Sequence, residues 1–310
     1  MTHIIVLPGS FIKKKMRKMK FIPFLLTLSL IISGCASAEK HYPEELEPYL
    51  DIELKYPIVM VHGIGRNDRG EHVKSWNNIP DVMRHNGLEV YYGNTDAWGN
   101  IATNSELLKT TIDTILDETN CEKVNIIAHS KGGIDSRYMI WKYQYGDKVA
   151  SLTTIATPHY GSEIADFLFN SKIMHRKQMK RRLNVLGKLY GDVHPNMYEV
   201  NSELTTENMK EFSESVTIDS NVYYQSIYSV MSEPSDDPFL ARTNRYIKNK
   251  NMDNDGLVSE QSAQWGPHIK KLPDSISHEQ IIGYGGKKIH GMKIPIIYLE
   301  MAQELGELGF

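Results

Sequence analysis

A short segment that contains one serine and two glycines comes at the end of a run of mostly apolar residues. The segment Ala128-His129-Ser130-Lys131-Gly132-Gly133 follows the apolar stretch 124–128 and precedes a helical pattern. In a strand-to-helix turn of this kind the serine sits on a sharp, strained bend with its hydroxyl exposed, and small residues two positions to either side avoid a collision. Ala128 and Gly132 meet that need. The pattern therefore predicts that Ser130 is a nucleophile.

Such a serine needs a base and an acid that orients the base. In folds with this turn, the three residues occur along the chain in the order serine, acid, histidine. Asp255 lies beside Gly256 in a polar turn after Ser130, and it is the favoured acid. Its neighbour Asp253 is the alternative, which we interpret as a solvated turn residue. The pattern predicts Asp255 as the orienting acid.

Three histidines follow this acid and compete for the role of base. His278 opens an apolar segment and is the favoured candidate. His268 lies so close to Asp255 that little chain remains for an intervening strand and a return loop. His290 stands among lysines, as in an exposed basic turn. We therefore predict His278 as the general base. A histidine suits this role, because its ordinary pKa of about 6.5 is already close to neutral pH.

A glycine-bearing loop after the first apolar run could stabilise the negative charge that develops during attack. The loop His62-Gly63-Ile64-Gly65 follows the run 57–61. Backbone N–H groups aimed at the developing oxyanion stabilise it by about 3 kcal/mol for one donor. We predict that these donors are the N–H groups of Ile64 and Lys131.

These residues must be positioned by alternating strands and helices. Continuous apolar, β-branched runs indicate buried parallel strands, and 3.6-residue spacing indicates the helices between them. The predicted strands are 57–61, 88–92, 124–128, 149–156, 222–230 and 294–299. The predicted helices are 105–119, with Ser105 as its N-cap, 132–145, and one at the C-terminus. The pattern predicts an α/β fold with a mostly parallel sheet flanked by helices.

One segment interrupts this alternation. Residues 163–220 do not follow the pattern, residues 164–190 mix apolar and basic character, and we expect an inserted helical region over the site. Its basic residues lie close together: Arg176, Lys177, Lys180, Arg181, Arg182 and Lys188. The insertion belongs to a catalytic domain predicted over 57–310, where it is expected to act as a lid.

The N-terminus has the order of a secretory signal. A basic run, an apolar stretch over 21–32 and small residues ending at Cys35 follow one another, and the apolar stretch is shorter than the roughly 20 residues that span a bilayer. The residues before Cys35 resemble a bacterial lipobox, whose cysteine carries lipid. We expect a signal peptide over 1–34, a tether over 35–56 and an exported bacterial lipoprotein anchored on the extracytoplasmic side. An ordinary signal peptide, cleaved after Ala36 or Ala38, is the alternative.

The net charge argues against a nucleic-acid-binding protein, and the cysteine content argues against an intrachain disulfide. The whole chain has a net charge of −3, and all charged residues among the first 34 are basic, so the remainder is more acidic still. An acidic body disfavours nucleic-acid binding, because phosphates require a basic face. With Cys35 lipidated, Cys121 has no partner for an intrachain disulfide.

From about residue 56 onward the chain resembles the bacterial true-lipase family. The resemblance rests on the loop 62–65, the elbow 128–133, the segment 156–168 and the turn Asn254-Asp255-Gly256-Leu257-Val258. It implies an α/β-hydrolase fold and hydrolysis of acylglycerols or similar lipid esters through an acyl-enzyme, with a mobile helical lid. It also places Asp255 and His278 at the acid and base positions.

The resemblance also bears on metals and on alternative functions. Members often bind a structural calcium ion, and Glu233 matches one ligand position, but Gln280 stands where a second carboxylate is expected unless Glu279 serves. We therefore expect no required cofactor, with calcium at Glu233 as the alternative.

The expected partners are a lipid or ester substrate and a membrane reached through the N-terminal lipid. An acyltransferase on the same scaffold and a non-catalytic binding lipoprotein are the competing functions.

Overall fold

The computed structural model describes residues 52–310 apart from 69–74, 172–180, 182–183, 186, 190 and 286–288. Its strands are β1 (Ile58–Val61), β2 (Val90–Tyr92), β3 (Val124–His129), β4 (Val149–Ile155), β5 (Tyr223–Tyr228) and β6 (His268–Lys271). Its α-helices are α1 (Ile79–His85), α2 (Ile101–Thr119), α3 (Lys131–Tyr143), α4 (Glu163–Phe169), α5 (Met197–Glu203), α6 (Thr206–Ser215), α7 (Ala241–Lys248), α8 (Glu260–Ala263) and α9 (Ile294–Glu307).

The six strands form one sheet in the order β2-β1-β3-β4-β5-β6, and each neighbouring pair is parallel. The chain leaves β1 for β2 on one side and then returns to β3 on the other side, so the direction of winding reverses at β1. Ligands of open α/β sheets bind at the carboxyl edge beside such a reversal. The predicted α/β class with a parallel sheet flanked by helices is confirmed.

Helices cover both faces of this sheet. Successive strand residues point to opposite faces. In β1, Ile58 and Met60 pack against α1 and α9, whereas Val59 and Val61 pack against α2 and α3. All four side chains are fully buried, and each such burial stabilises the fold by roughly 1.5–3 kcal/mol. Burial on both faces explains why the strand is a continuous apolar run.

The predicted strand at 294–299 is wrong. These residues begin α9, which runs from Ile294 to Glu307 with Pro295 in its first turn. A short apolar run does not by itself distinguish a buried strand from a buried helix, whereas proline near its start favours a helix. Tyr298 and Leu299 of this helix pack in the core beneath the sheet. The last strand is instead β6.

The predicted cap of the second helix is also wrong. Helix α2 begins at Ile101, and the side chain of Asn100 accepts a hydrogen bond of 2.8 Å from the backbone N–H of Thr103. Ser105 lies one turn inside the helix, where its hydroxyl is 2.7 Å from the carbonyl oxygen of Ile101. Apolar spacing located the helix but not its first turn, because that turn is held by polar side chains.

The region between β4 and β5 contains α4, α5 and α6. Of the six basic residues named above, Arg181 and Lys188 lie within the described part, and the other four lie outside it. The lid role of this region stays a prediction. The expected signal peptide, the lipidated Cys35 and most of the tether also lie outside the described residues. In the part of the chain that the structure describes, no helix is both long and apolar enough to cross a membrane.

Candidate active site

Ser130 occupies the turn between β3 and α3. Its backbone has φ 54° and ψ −128°, a conformation that residues other than glycine rarely adopt. A Cβ atom on Gly132 would lie 2.5 Å from the carbonyl oxygens of Val61 and His62, so the turn can approach β1 this closely only with glycine there. Ala128 is buried within β3, where its methyl group is accommodated. Strain at this serine fits a functional role.

His278 and Asp255 are brought to Ser130. The Nε2 atom of His278 lies 3.0 Å from the Oγ atom of Ser130, and its Nδ1 atom lies 2.7 Å from Oδ2 of Asp255. The other carboxylate oxygen of Asp255 accepts hydrogen bonds from the backbone N–H groups of Leu257 and Val258, at 2.9 and 2.8 Å. These bonds fix the carboxylate, and the carboxylate in turn fixes the imidazole ring.

Two opposing effects set the pKa of His278. The side chain is buried, which disfavours its charged form, but the adjacent Asp255 carboxylate and its hydrogen bond outweigh the burial. The pKa of His278 is therefore raised above its ordinary value. A base with a raised pKa accepts a proton from serine more readily, while the fraction of neutral base falls at acidic pH.

The rival residues lie elsewhere. Asp253 is exposed and hydrogen-bonds through its backbone carbonyl. His268 is exposed on β6, where its ring stacks on Tyr223 at 4.7 Å. His290 is exposed in a turn, 3.9 Å from a carboxylate oxygen of Asp236. None of these three contributes to the arrangement around the serine.

The loop after β1 reaches Ser130 as well. A Cβ atom on Gly63 would lie 2.7 Å from Cβ of Ser130, so this loop passes directly over the serine. The ring of His62 is buried and braces the loop, with Nδ1 at 2.8 Å from the Gly63 carbonyl oxygen. Lys131 is the first residue of α3, and its backbone N–H therefore has no acceptor within the helix. The loop that carries Ile64 and the first residue of α3, Lys131, thus both lie next to the serine.

A capping box holds the loop that carries His278. The Ser277 hydroxyl accepts a hydrogen bond from the Gln280 backbone N–H at 3.2 Å, and the Gln280 side chain accepts one from the Ser277 N–H at 2.9 Å. The same hydroxyl donates to a carboxylate oxygen of Asp237 at 2.7 Å. The Gln280 amide group donates to the Asp236 carbonyl at 2.8 Å. Our sequence reasoning missed this box, although serine and glutamine three residues apart are its signature.

The two carboxylates considered for calcium face solvent or make another contact. Glu233 is exposed in its loop. Glu279 instead forms an ion pair with Arg66, which stacks on Tyr284 at 4.0 Å. Within the described ranges, no three histidine, cysteine, aspartate or glutamate side chains are grouped as a metal site would require.

Comparison with known proteins identifies the family. Residues 57–254, more than half of the chain, match the family described as palmitoyl protein thioesterase. The chain belongs to this family. The matched range of this palmitoyl protein thioesterase family member contains the elbow serine and ends one residue before Asp255.

Individual relatives of this family member include lipases. It is 37% identical over 119 residues to a triacylglycerol lipase of Pseudarthrobacter phenanthrenivorans, covering 37% of this chain and 36% of that protein. It is 27% identical over 265 residues to triacylglycerol lipase 2 of Saccharomyces cerevisiae, covering 77% and 75%. The alignment to the first of these spans about a third of that relative's length.

A solved structure confirms the type of fold. The crystal structure of Staphylococcus hyicus lipase matches with a TM-score of 0.67 and 17% identity, over 87% of this chain and 98% of that chain. At this identity the likeness concerns the fold alone. The palmitoyl protein thioesterase family member therefore has the α/β-hydrolase fold that the sequence predicted.

Proposed function

We propose that this protein is a serine hydrolase that cleaves carboxylic esters of lipids through an acyl-enzyme. The observation that carries the proposal is the continuous contact from Ser130 through His278 to Asp255, with distances of 3.0 and 2.7 Å. Such a chain of contacts activates a serine hydroxyl, which is a weak nucleophile on its own.

In the proposed mechanism each residue has one task. Ser130 Oγ attacks the ester carbonyl carbon while its proton passes to Nε2 of His278, and Asp255 stabilises the resulting imidazolium. The N–H groups of Ile64 and Lys131 stabilise the oxyanion. His278 then gives the proton to the departing alcohol, which leaves an acyl group on Ser130. A water molecule, deprotonated by His278, hydrolyses this ester in the second half of the reaction.

The names of the relatives and of the family are compatible with two leaving groups, an alcohol and a thiol. The curated relatives are triacylglycerol lipases, whose name specifies an oxygen ester, whereas the family name specifies a thioester of a palmitoylated protein. Both reactions pass through the same acyl-enzyme, and only the departing atom differs. We favour the oxygen ester, because the named individual relatives agree on it.

We also propose that the site works without a cofactor. Proton transfer and oxyanion stabilisation are supplied by the side chains and backbone named above. The capping box of Ser277 and Gln280, tied to Asp237, already holds the His278 loop by hydrogen bonds.

A matched substrate panel tests these proposals. We expect p-nitrophenyl esters from acetate to palmitate to be hydrolysed, and a palmitoyl oxygen ester to be cleaved at least about tenfold faster than the same acyl group on N-acetylcysteamine. EDTA is expected to leave these rates unchanged. A preference for the thioester would assign the family's named activity instead, and acyl transfer dominating in excess alcohol would assign an acyltransferase. No turnover of any of these substrates would favour the binding lipoprotein.

For localisation we propose an exported lipoprotein anchored through Cys35. The support is the order of basic, apolar and small residues before this cysteine. Replacing Cys35 with alanine is expected to move the protein out of the membrane fraction or to stall its processing, while ester hydrolysis by the soluble form survives. Wild-type protein found entirely in the soluble fraction after export would contradict the anchor.

A further inference from the structure

The main chain of His278 is held on both sides. Its backbone N–H donates to the carbonyl oxygen of Asp255 at 2.9 Å. Its own carbonyl oxygen lies 3.1 Å from Nε2 of His129, the residue before the nucleophile. Together with the contacts of its ring, every polar group of His278 therefore has a partner. One of these partners, His129, takes no part in the proton transfers proposed above.

The direction of the bond from His129 is fixed. A carbonyl oxygen only accepts, so the N–H of the His129 ring must be on Nε2. The side chain is 3% exposed, and burial, followed by the nearby His278 and Arg66, holds the pKa of His129 well below its ordinary value. The ring is thus neutral, with a single N–H group. Its Nδ1 atom has no hydrogen-bond partner in the described part of the chain, so the bond to His278 is the only one the ring makes there.

The two rings also pack on each other. Their centroids are 4.6 Å apart, with an angle of 49° between the ring planes. On another side, the buried indole of Trp76 meets the ring of His129 edge to face, with centroids 6.1 Å apart. Trp76 also contacts Tyr298 of α9 in the same manner, so this stack rests on the hydrophobic core. The ring of His129, which packs on the His278 ring, is therefore itself supported from the core.

We propose that His129 is a positioning residue for the catalytic base, holding the backbone of His278 with its N–H and the imidazole of His278 with its ring. This inference rests on the proposed function, since it concerns the orientation of the proposed base. The proposed nucleophile, Ser130, and the proposed positioning residue, His129, are thus adjacent in sequence at the end of β3. A misplacement of about 1 Å at a reacting group can lower a rate by about 10²-fold, so the expected effect is on kcat.

Two variants separate the ring contact from the hydrogen bond. His129→Phe keeps an aromatic ring and removes the N–H, whereas His129→Gln keeps a donor near the position of Nε2 and removes the ring. We expect His129→Phe to lower kcat about 10- to 100-fold with little change in KM. Its acid limb of kcat/KM should shift to lower pH, because a loosened His278 loses part of the Asp255 contact that raises its pKa. His129→Gln should recover part of both effects.

His159→Gln is the matched control. His159 is also fully buried and hydrogen-bonded, to Arg137 and Thr154, and neither partner is one of the three proposed catalytic residues. We expect it to lower the Tm as much as the His129 variants while retaining kcat and the acid limb. Wild-type kcat and pH dependence in folded His129→Phe, or in folded His129→Leu if the former does not fold, would overturn the proposal, because both variants lack the N–H donor. So would an equal loss of kcat in His159→Gln. Failure of the proposed function would instead appear as an inactive wild-type protein.

Discussion

Replacing Ser130 with alanine is expected to lower ester hydrolysis by at least about 10⁴-fold. The remaining rate would come from the oxyanion donors and substrate binding, which do not depend on the hydroxyl. The fold should be retained, because the hydroxyl is a partly exposed group at the sheet edge and alanine removes only its oxygen. Covalent labelling by a fluorophosphonate probe should disappear together with hydrolysis.

Ser215→Ala provides the control for this experiment. Ser215 is an exposed serine at the end of α6, and we expect its variant to keep wild-type activity and labelling. Unchanged melting temperatures in both variants would separate loss of chemistry from loss of structure. Labelling that persists in Ser130→Ala would place the nucleophile at another residue.

Replacing His278 with alanine is expected to cost nearly as much as loss of the serine. Without this imidazole, the proton of Ser130 has no acceptor, and the leaving alcohol has no donor. Because the two residues act as one unit, the double variant should be little worse than either single variant. A second expected result concerns the pH dependence of the wild-type protein. A pH profile of kcat/KM should fall as the pH drops through the raised pKa of His278, since only the neutral ring accepts a proton.

His290→Ala is the comparison that distinguishes the candidates for the base. His290 is exposed and lies near Asp236 rather than near Ser130, so we expect its variant to retain nearly full turnover. The measurement is kcat on one p-nitrophenyl ester for all five proteins: the wild type, Ser130→Ala, His278→Ala, His290→Ala and Ser130→Ala/His278→Ala. Near-normal kcat in His278→Ala with a collapse in His290→Ala would reverse the assignment.

The sequence was sufficient to predict the elements on which the site is built. Buried parallel strands are rich in apolar and β-branched residues, and β1, β3 and β4 stood out for that reason. The elbow could be located because its geometry restricts residue type: a side chain at Gly132 would meet backbone oxygen atoms. Chain order then limited the acid and the base to a few residues, of which the structure brings Asp255 and His278 to the serine.

Other features depend on tertiary contacts that a linear pattern does not contain. The helix beginning at Ile294 was mistaken for a strand, because its first six residues are almost wholly apolar and only the full turn spacing reveals a helix. The contact of His129 with the His278 carbonyl joins residues 149 positions apart. No local signal marks such a pair. The capping box of Ser277 and Gln280, by contrast, is local, and its spacing alone could have revealed it.

The separation of the catalytic residues along the chain links activity to folding. Ser130 and His278 are 148 positions apart, and β4, β5 and β6 all lie between them in sequence. During synthesis from the N-terminus the nucleophile is made well before its base, and contacts between distant segments form slowly because a long loop must first be closed. A nascent chain with its first four strands therefore has an elbow serine but no means of activating it. On the proposed mechanism, hydrolysis is expected to begin only after the strands that follow β4 have joined the sheet, so a partly folded chain should leave nearby esters intact.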